Sequence, residues 1–302
     1  MRFQFKDIAS QKGKVAIVTG ANIGLGYETT LGLVSKDVQV IMACRNFDKA
    51  HKAKSKIEAQ FPEAQLEVIQ LDLGSFQSVR AFVKNFTTKY DRLDLLIENA
   101  GIMMPPFMQT EDGFESQFGV NHLGHFLLAH LLYPTIQKTP QARIITLSSI
   151  AHRNGRIDFE NLNAEVKYSK MGAYGQSKLA CLMFALELDR KLRKSGSETI
   201  AVSAHPGASN TNLGQHLNKT LYKLLLPLMS FFIHAPKEAA LPTLYAALGT
   251  DIQGGDYVGP TGFNEMKGKP GKVKALPHAY DAEVAKRLWE VSEEFIGQKF
   301  EV

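Results

Sequence analysis

Tyr174 and Lys178 stand four residues apart in Ala173-Tyr174-Gly175-Gln176-Ser177-Lys178-Leu179-Ala180, and such a pair can move a proton. Residues at i and i+4 of a helix share a face. A free phenol, with a pKa of about 10, is a poor acid or base at neutral pH. A neighbouring ammonium favours the phenolate and brings the phenol into range for proton transfer. Alone, the pair is common on helix surfaces, so its meaning depends on what accompanies it.

A second group of residues suits a phosphate. The apolar run Val15–Thr19 leads into Gly20-Ala21-Asn22-Ile23-Gly24-Leu25-Gly26. This is Gly-x-x-x-Gly-x-Gly rather than Gly-x-Gly-x-x-Gly, but the mechanics agree. Glycines allow a tight turn and close backbone approach, and a helix starting near Gly24 aims free N–H groups at a pyrophosphate. Arg45, in Ala43-Cys44-Arg45-Asn46 at the end of the second apolar run, lies 19 residues after Gly26. An acidic residue there binds the ribose 2′-hydroxyl of NAD, whereas an arginine suits a 2′-phosphate through a charge-assisted fork. The expected cofactor is therefore NADP(H). Asp72, in Leu71-Asp72-Leu73 after the third run, is placed either to accept from an adenine amino group or to serve as a helix N-terminal carboxylate.

Holding these groups together needs a layered scaffold. Apolar runs at Val15–Thr19, Val38–Ala43, Leu66–Leu71, Leu93–Ile97, Ile144–Leu147 and Ile200–Ala204 predict strands. They are apolar throughout rather than alternating, as in a parallel sheet buried on both faces. Helical patterns near 24–35, 47–60, 75–89, 114–133 and 175–194 separate them, and a last helix near 281–296 carries Trp289. The expected fold is α/β, a Rossmann-type doubly wound parallel sheet of about seven strands, with the seventh at Tyr257-Val258 closing the far edge. No linker divides the chain, so residues 1–302 read as one domain, with an N-terminal extension over 1–13 and a substrate-side excursion over 207–236.

Composition narrows the function classes. The 302 residues are 44% hydrophobic and 22% charged, ordinary for a globular protein. The net charge of +5 is scattered, with no basic run, which argues against nucleic acid. Cys44 and Cys181 read as reduced core thiols, and no metal-ligand spacing exists. His122, His125 and His130 have offsets that do not converge on a metal, so core or cap roles are expected. The polar first residues lack an apolar signal core. The stretch from Leu221 to Ile233 is too short to span a bilayer, which leaves a membrane-surface contact as the minor reading. A soluble, cytoplasmic protein is expected.

With these motifs in hand, the chain resembles the short-chain dehydrogenase/reductase superfamily over nearly its whole length. Thr19-Gly20-x-x-x-Gly24-x-Gly26 is similar to the family's cofactor turn. Glu98-Asn99-Ala100-Gly101 is similar to its Asn-Asn-Ala-Gly segment, with Glu98 departing from the family's first Asn. Asn121-His122-Leu123-Gly124-His125-Phe126 resembles the family's helix carrying a catalytic Asn, Ser148-Ser149 follows the fifth strand where the catalytic serine lies, and Pro206-Gly207 with Thr211 resembles the nicotinamide-amide loop. Closer in, Ala43-Cys44-Arg45-Asn46, Gly113-Phe114-Glu115 and Ser148-Ser149-x-Ala151-His152 resemble the retinol dehydrogenase-like branch and its bacterial relatives. In that branch the second serine acts, 25 residues before the tyrosine, which points to Ser149.

The resemblance implies an enzyme moving hydride between NADP(H) and a carbonyl/alcohol pair. Tyr174 is then the general acid/base, Lys178 its electrostatic partner and a ribose ligand, Ser149 a hydrogen-bond donor to the developing alkoxide, and Asn121 the holder of a water that links Lys178 to solvent. The implied cofactor contacts are Gly20, Asn22, Ile23, Gly24, Leu25, Gly26, Arg45, Asp72, Leu73, Asn99, Ala100, Gly101, Tyr174, Lys178, Pro206, Gly207 and Thr211. Two alternatives stand beside it, a non-catalytic dinucleotide-binding regulatory protein and a reductase of a carbon–carbon double bond. The oily character of 207–236 suggests a hydrophobic small-molecule substrate, and a homo-oligomer is left open.

Overall fold

Every residue of Val15–Thr19 is buried, so this strand needs cover on both faces. The rest of the sheet follows the same logic. The structure is a computed structural model that describes residues 3–208 and 234–302. Its strands β1 (Val15–Thr19), β2 (Gln39–Cys44), β3 (Leu66–Gln70), β4 (Leu95–Glu98), β5 (Arg143–Leu147), β6 (Ile200–Ala204) and β7 (Tyr257–Pro260) are parallel, and β8 (Pro270–Val273) is antiparallel. Their spatial order is β3-β2-β1-β4-β5-β6-β7-β8. The order reverses beside β1, where β1 pairs with both β2 and β4, and open α/β sheets bind ligands at such a switch point.

The helices are α1 (Gly24–Val34), α2 (Phe47–Glu58), α3 (Phe76–Thr87), α4 (Ser116–Phe118), α5 (Gly124–Ile136), α6 (Lys170–Ser195), α7 (Pro236–Ala239), α8 (Leu241–Leu248) and α9 (Ala282–Ile296). On one face Ile17, Ile41, Leu96 and Ile144 pack against Phe82 of α3, Phe126 of α5, Leu188 of α6 and Trp289 of α9. On the other Val18, Met42, Ile97 and Ile145 pack against Leu33 of α1, Ile57 of α2 and Leu244 of α8. Alternate residues of each strand thus feed opposite layers, which is why the runs are continuously apolar. The N-terminal segment lies along the second layer, with Phe3 stacked on Tyr245 and Lys36 donating to the Ile8 carbonyl at 2.6 Å.

Three expectations need correction. Tyr257-Val258 does not close the sheet, because β8 pairs beyond it. Pro-Gly-Lys-Val has no apolar run to betray it, and the strand is held by the backbone ladder to β7. The expected helix over 114–133 is broken into α4, a π-helical turn at Gly119–Leu123 and α5, which runs on through Pro134 to Ile136. The expected helix over 175–194 starts earlier, at Lys170, where the Ser169 side chain accepts from the Gly172 N–H. Tyr174 therefore sits inside the helix rather than ahead of it. Thr211 and the apolar residues from Leu213 to Phe232 lie outside the described residues.

Candidate active site

The carboxyl ends of β1, β4, β5 and β6 open onto one place, and the turn after β1 is shaped by close contact. Gly20 and Gly24 have φ of +67° and +57°, conformations that favour glycine. A Cβ on Gly26 would lie 2.3 Å from the Gly20 carbonyl oxygen and 2.5 Å from Asn99 Nδ2. Helix α1 is preceded by Ile23, which offers no capping side chain, and its first turn contains no acid. Its free N–H groups therefore remain available to an anion. Asn99 donates from Nδ2 to the Thr19 carbonyl at 2.7 Å, and its Oδ1 is buried without a partner among the described residues. A buried unpaired acceptor costs stability unless something donates to it. An uncapped helix, a glycine cradle and an orphaned acceptor together fit a dinucleotide with a ribose hydroxyl to give.

The residues expected to handle protons converge from three elements. Lys178 is only 6% exposed, donates to the Leu147 carbonyl at 2.9 Å, and has no carboxylate in ion-pair range among the described residues. A Cβ on Gly101 would lie 3.3 Å from Lys178 Nζ and 3.1 Å from Asn121 Oδ1, so these three residues meet. Asn121 sits in the π-helical turn, accepts from the Ile102 N–H at 2.8 Å and donates to the Ser177 hydroxyl at 2.9 Å. Tyr174 is half-buried one turn before Lys178 on α6. The two adjacent serines divide their work. Ser148 is buried and donates to the Lys178 carbonyl at 2.7 Å, while Ser149 is half-buried and caps the 3₁₀ turn Ile150–Asn154. That turn is held close to Tyr174, since a Cβ on Gly175 would lie 3.2 Å from the Ala151 carbonyl oxygen.

Comparison with known proteins now decides the family. The family model for short chain dehydrogenases matches residues 14–221. The chain belongs to the short-chain dehydrogenase family. It is 40% identical over 299 residues to mouse retinol dehydrogenase 14, covering 94% of this chain and 86% of that protein. It is 40% identical over 296 residues to human retinol dehydrogenase 13, covering 96% and 86%. A solved uncharacterized protein from Mycobacterium paratuberculosis matches with a TM-score of 0.83 and 38% identity over the full length of both chains. RhlG of Pseudomonas aeruginosa, solved as an NADP active-site complex, shares the fold with a TM-score of 0.66 at 21% identity, covering 82% of this chain and 94% of that one. This short-chain dehydrogenase falls in the retinol dehydrogenase-like branch, and the family's chemistry is oxidation and reduction with a nicotinamide dinucleotide.

The remaining expected residues of this short-chain dehydrogenase are placed less uniformly. Arg45 is exposed at the end of β2, and its guanidinium has no carboxylate partner among the described residues. Asp72 is engaged locally, with Oδ1 accepting from the Gly74 N–H at 2.9 Å. Leu73 supports the site through its backbone, because a Cβ on Gly124 would lie 2.4 Å from the Leu73 carbonyl oxygen. Ala100 donates its N–H to the Thr19 hydroxyl at 2.9 Å, and Gly207, with φ of +74°, follows Pro206 at the end of β6.

The histidines hold the helices rather than a metal. His125 bridges the Thr19 hydroxyl at 2.9 Å and the Asn121 carbonyl at 3.0 Å, and burial pushes it down to about 4. His122 meets the Ser292 hydroxyl at 2.8 Å and is pushed down to about 3 by burial and then by His125. His130 is half-buried beside Phe300. Sequence reasoning missed the link His125 makes between the glycine turn and Asn121, although its i+4 spacing from Asn121 held the signal. Cys44 and Cys181 are free and buried, and burial raises both thiols to about 11. Among the described residues no cluster could hold a metal, and no helix is long and apolar enough to cross a membrane.

Glu98 is the unexpected member. It is 1% exposed, Oε2 accepts from the Thr146 hydroxyl at 2.8 Å, and Oε1 has no partner among the described residues. Burial drives its carboxyl up to about 8, against the pull of Thr146.

Proposed function

We propose that this chain is an NADP(H)-dependent oxidoreductase that interconverts a carbonyl and an alcohol on an apolar substrate, with Tyr174 as general acid/base. The observation that carries the reading is Lys178. A buried ammonium without a carboxylate is costly to keep, and this one lies one turn from a phenol and beside Gly101 and Asn121. Bound nicotinamide dinucleotide supplies or takes up the hydride. Tyr174 gives its proton to the carbonyl oxygen in reduction and recovers it in oxidation. Lys178 stabilises the phenolate left behind and would bond the nicotinamide ribose. Ser149 donates to the oxygen as charge develops there, an interaction strengthened in a dry pocket. Asn121 holds a water that replenishes the proton on Lys178. Gly20, Asn22, Ile23, Gly24, Leu25 and Gly26 would hold the pyrophosphate. Asp72, Leu73, Asn99, Ala100 and Gly101 would hold the adenosine and ribose side, and Pro206 and Gly207 the nicotinamide.

The substrate class rests on the relatives named as retinol dehydrogenases. The test is to follow NADPH absorbance against all-trans-retinal, a steroid ketone and benzaldehyde. Turnover of an aldehyde or ketone to its alcohol supports the reading. NADPH binding without turnover favours a regulatory protein, and a saturated product with its carbonyl intact favours reduction of a carbon–carbon bond.

Arg45 gives a separate test of the cofactor. Its guanidinium is free to meet a 2′-phosphate, and a hydrogen bond to a charged group is worth about 1.5–3 kcal/mol. Arg45→Glu should weaken NADPH by roughly 10- to 100-fold in KM and leave NADH nearly unchanged, read from initial rates with each nucleotide. The serine pair gives another. Ser149→Ala should lower kcat by about 10²–10³-fold, the usual cost of an oxyanion donor. Ser148→Ala should instead cost about 1–3 kcal/mol of stability, seen by thermal melting, because the buried hydroxyl bonds the Lys178 carbonyl and the Tyr257 hydroxyl.

A further inference from the structure

Glu265 lies outside every motif used above, yet it touches both sides of the site. Its Oε2 is 2.8 Å from Arg153 Nη2, four residues after Ser149, and 3.1 Å from His205 Nε2, two residues before Gly207. His205 is fully buried, and its Nδ1 accepts from the Gly207 N–H at 3.3 Å. The proton is therefore on Nε2, facing the carboxylate. Neither the Arg153 nor the His205 N–H meets this oxygen in hydrogen-bond geometry, so both contacts are electrostatic. Burial opposes ionisation of Glu265, but His205 and Arg153 outweigh it and hold the carboxyl below its ordinary range.

The backbone around Glu265 is equally committed. A Cβ on Gly207 would lie 2.4 Å from the Met266 carbonyl oxygen and 2.9 Å from that of Glu265. Ala208 donates its N–H to Met266 at 2.8 Å, and Arg153 donates to the Asn264 carbonyl at 3.3 Å. His234 then accepts from the Gly268 N–H at 3.0 Å. Asn264 and Glu265 are consecutive non-glycine residues with φ of +48° and +57°. Left-handed backbone of this kind is costly and persists where the surroundings over-determine it, commonly beside functional sites.

We propose that Glu265 is a positioning residue for the reaction: its carboxylate braces the Ser149 turn through Arg153 against the nicotinamide loop through His205. The inference rests on the reading of Ser149 and Gly207 given above. A single oxygen shared by a guanidinium and an imidazole N–H from separate segments fixes the distance between the group that stabilises the alkoxide and the loop that orients the ring. A misplacement of about 1 Å at a reacting centre can cost 10²-fold.

The test measures kcat, the dissociation constant of NADPH and the thermal midpoint for Glu265→Gln, Arg153→Met and the double variant. The probe pair is NADPH with all-trans-retinal or benzaldehyde, whichever the wild type turns over faster. Glu265→Gln should lower kcat by about tenfold or more, with NADPH affinity within about threefold, since the glycine turn and Arg45 are untouched. The double variant should be no slower than the slower single variant, as expected for groups in one network. A wild-type kcat in folded Glu265→Gln overturns the proposal, as does a kcat loss that merely follows a fall in thermal midpoint and NADPH affinity. If Glu265→Gln does not fold, Arg153→Met is read in the same way, because that side chain is partly exposed. Tyr174→Phe in the same assay separates the two readings. Activity there overturns the site itself, whereas an inactive Tyr174→Phe beside a fully active Glu265→Gln overturns the brace alone.

Discussion

Tyr174→Phe lowers turnover by about 10²–10⁴-fold and leaves NADPH binding within a small factor. The magnitude is that of a positioned general acid/base, equivalent to roughly 3–5 kcal/mol of barrier. Binding is spared because the glycine turn, the uncapped start of α1 and the orphaned Asn99 oxygen lie on other elements. Removing one hydroxyl from a half-buried side chain should also leave the fold intact. Steady-state kinetics with a titration of NADPH fluorescence separate the two quantities. If the phenylalanine variant reduces its carbonyl at the wild-type rate, another group carries the proton and Lys178 is buried for a different reason.

The largest stability effect should come from Glu98. Its carboxyl moves from an ordinary 4.5 to about 8 on folding. Between those values the native protein holds a proton that the unfolded chain has released. Stability therefore falls as pH rises through that window, and the contribution levels off below and above it. The full displacement corresponds to roughly 5 kcal/mol. Glu98→Gln removes this titration. Its thermal midpoint should match or trail the wild type near pH 5, where the added amide has a buried donor to satisfy, and should exceed it progressively toward pH 8. A difference that does not vary between pH 5 and pH 8.5 would show that Glu98 is ionised or hydrated in the folded protein.

Much of this site was legible because its chemistry depends on spacing along single elements. Tyr174 and Lys178 share one helix, and the glycine turn must directly follow β1, so both survive errors in helix boundaries. Choosing Ser149 over Ser148 needed the resemblance, and the structure adds the physical distinction that Ser148 is tied to the Lys178 carbonyl. What the sequence hid depends on contacts between distant segments. Glu265 meets Arg153 and His205 only after β6, β7 and the turn after β5 are brought together. The π-helical turn was hidden because one surplus residue barely disturbs the apolar periodicity of 114–133. The Asn121 carbonyl of that turn meets the His125 ring and the Cys181 thiol, at 3.0 and 3.1 Å.

The short antiparallel strand at the end of the sheet has a use beyond completing the ladder. An uncovered parallel edge presents a row of unpaired amides that can recruit another polypeptide into aggregates. Here β7 is covered by four residues that begin with Pro270, which has no N–H, and include Lys272, whose ammonium pairs with Asp256 at 2.7 Å. A proline and a charge make this border a poor template for a further chain, so on this side the sheet ends in a guard against fibril-like stacking.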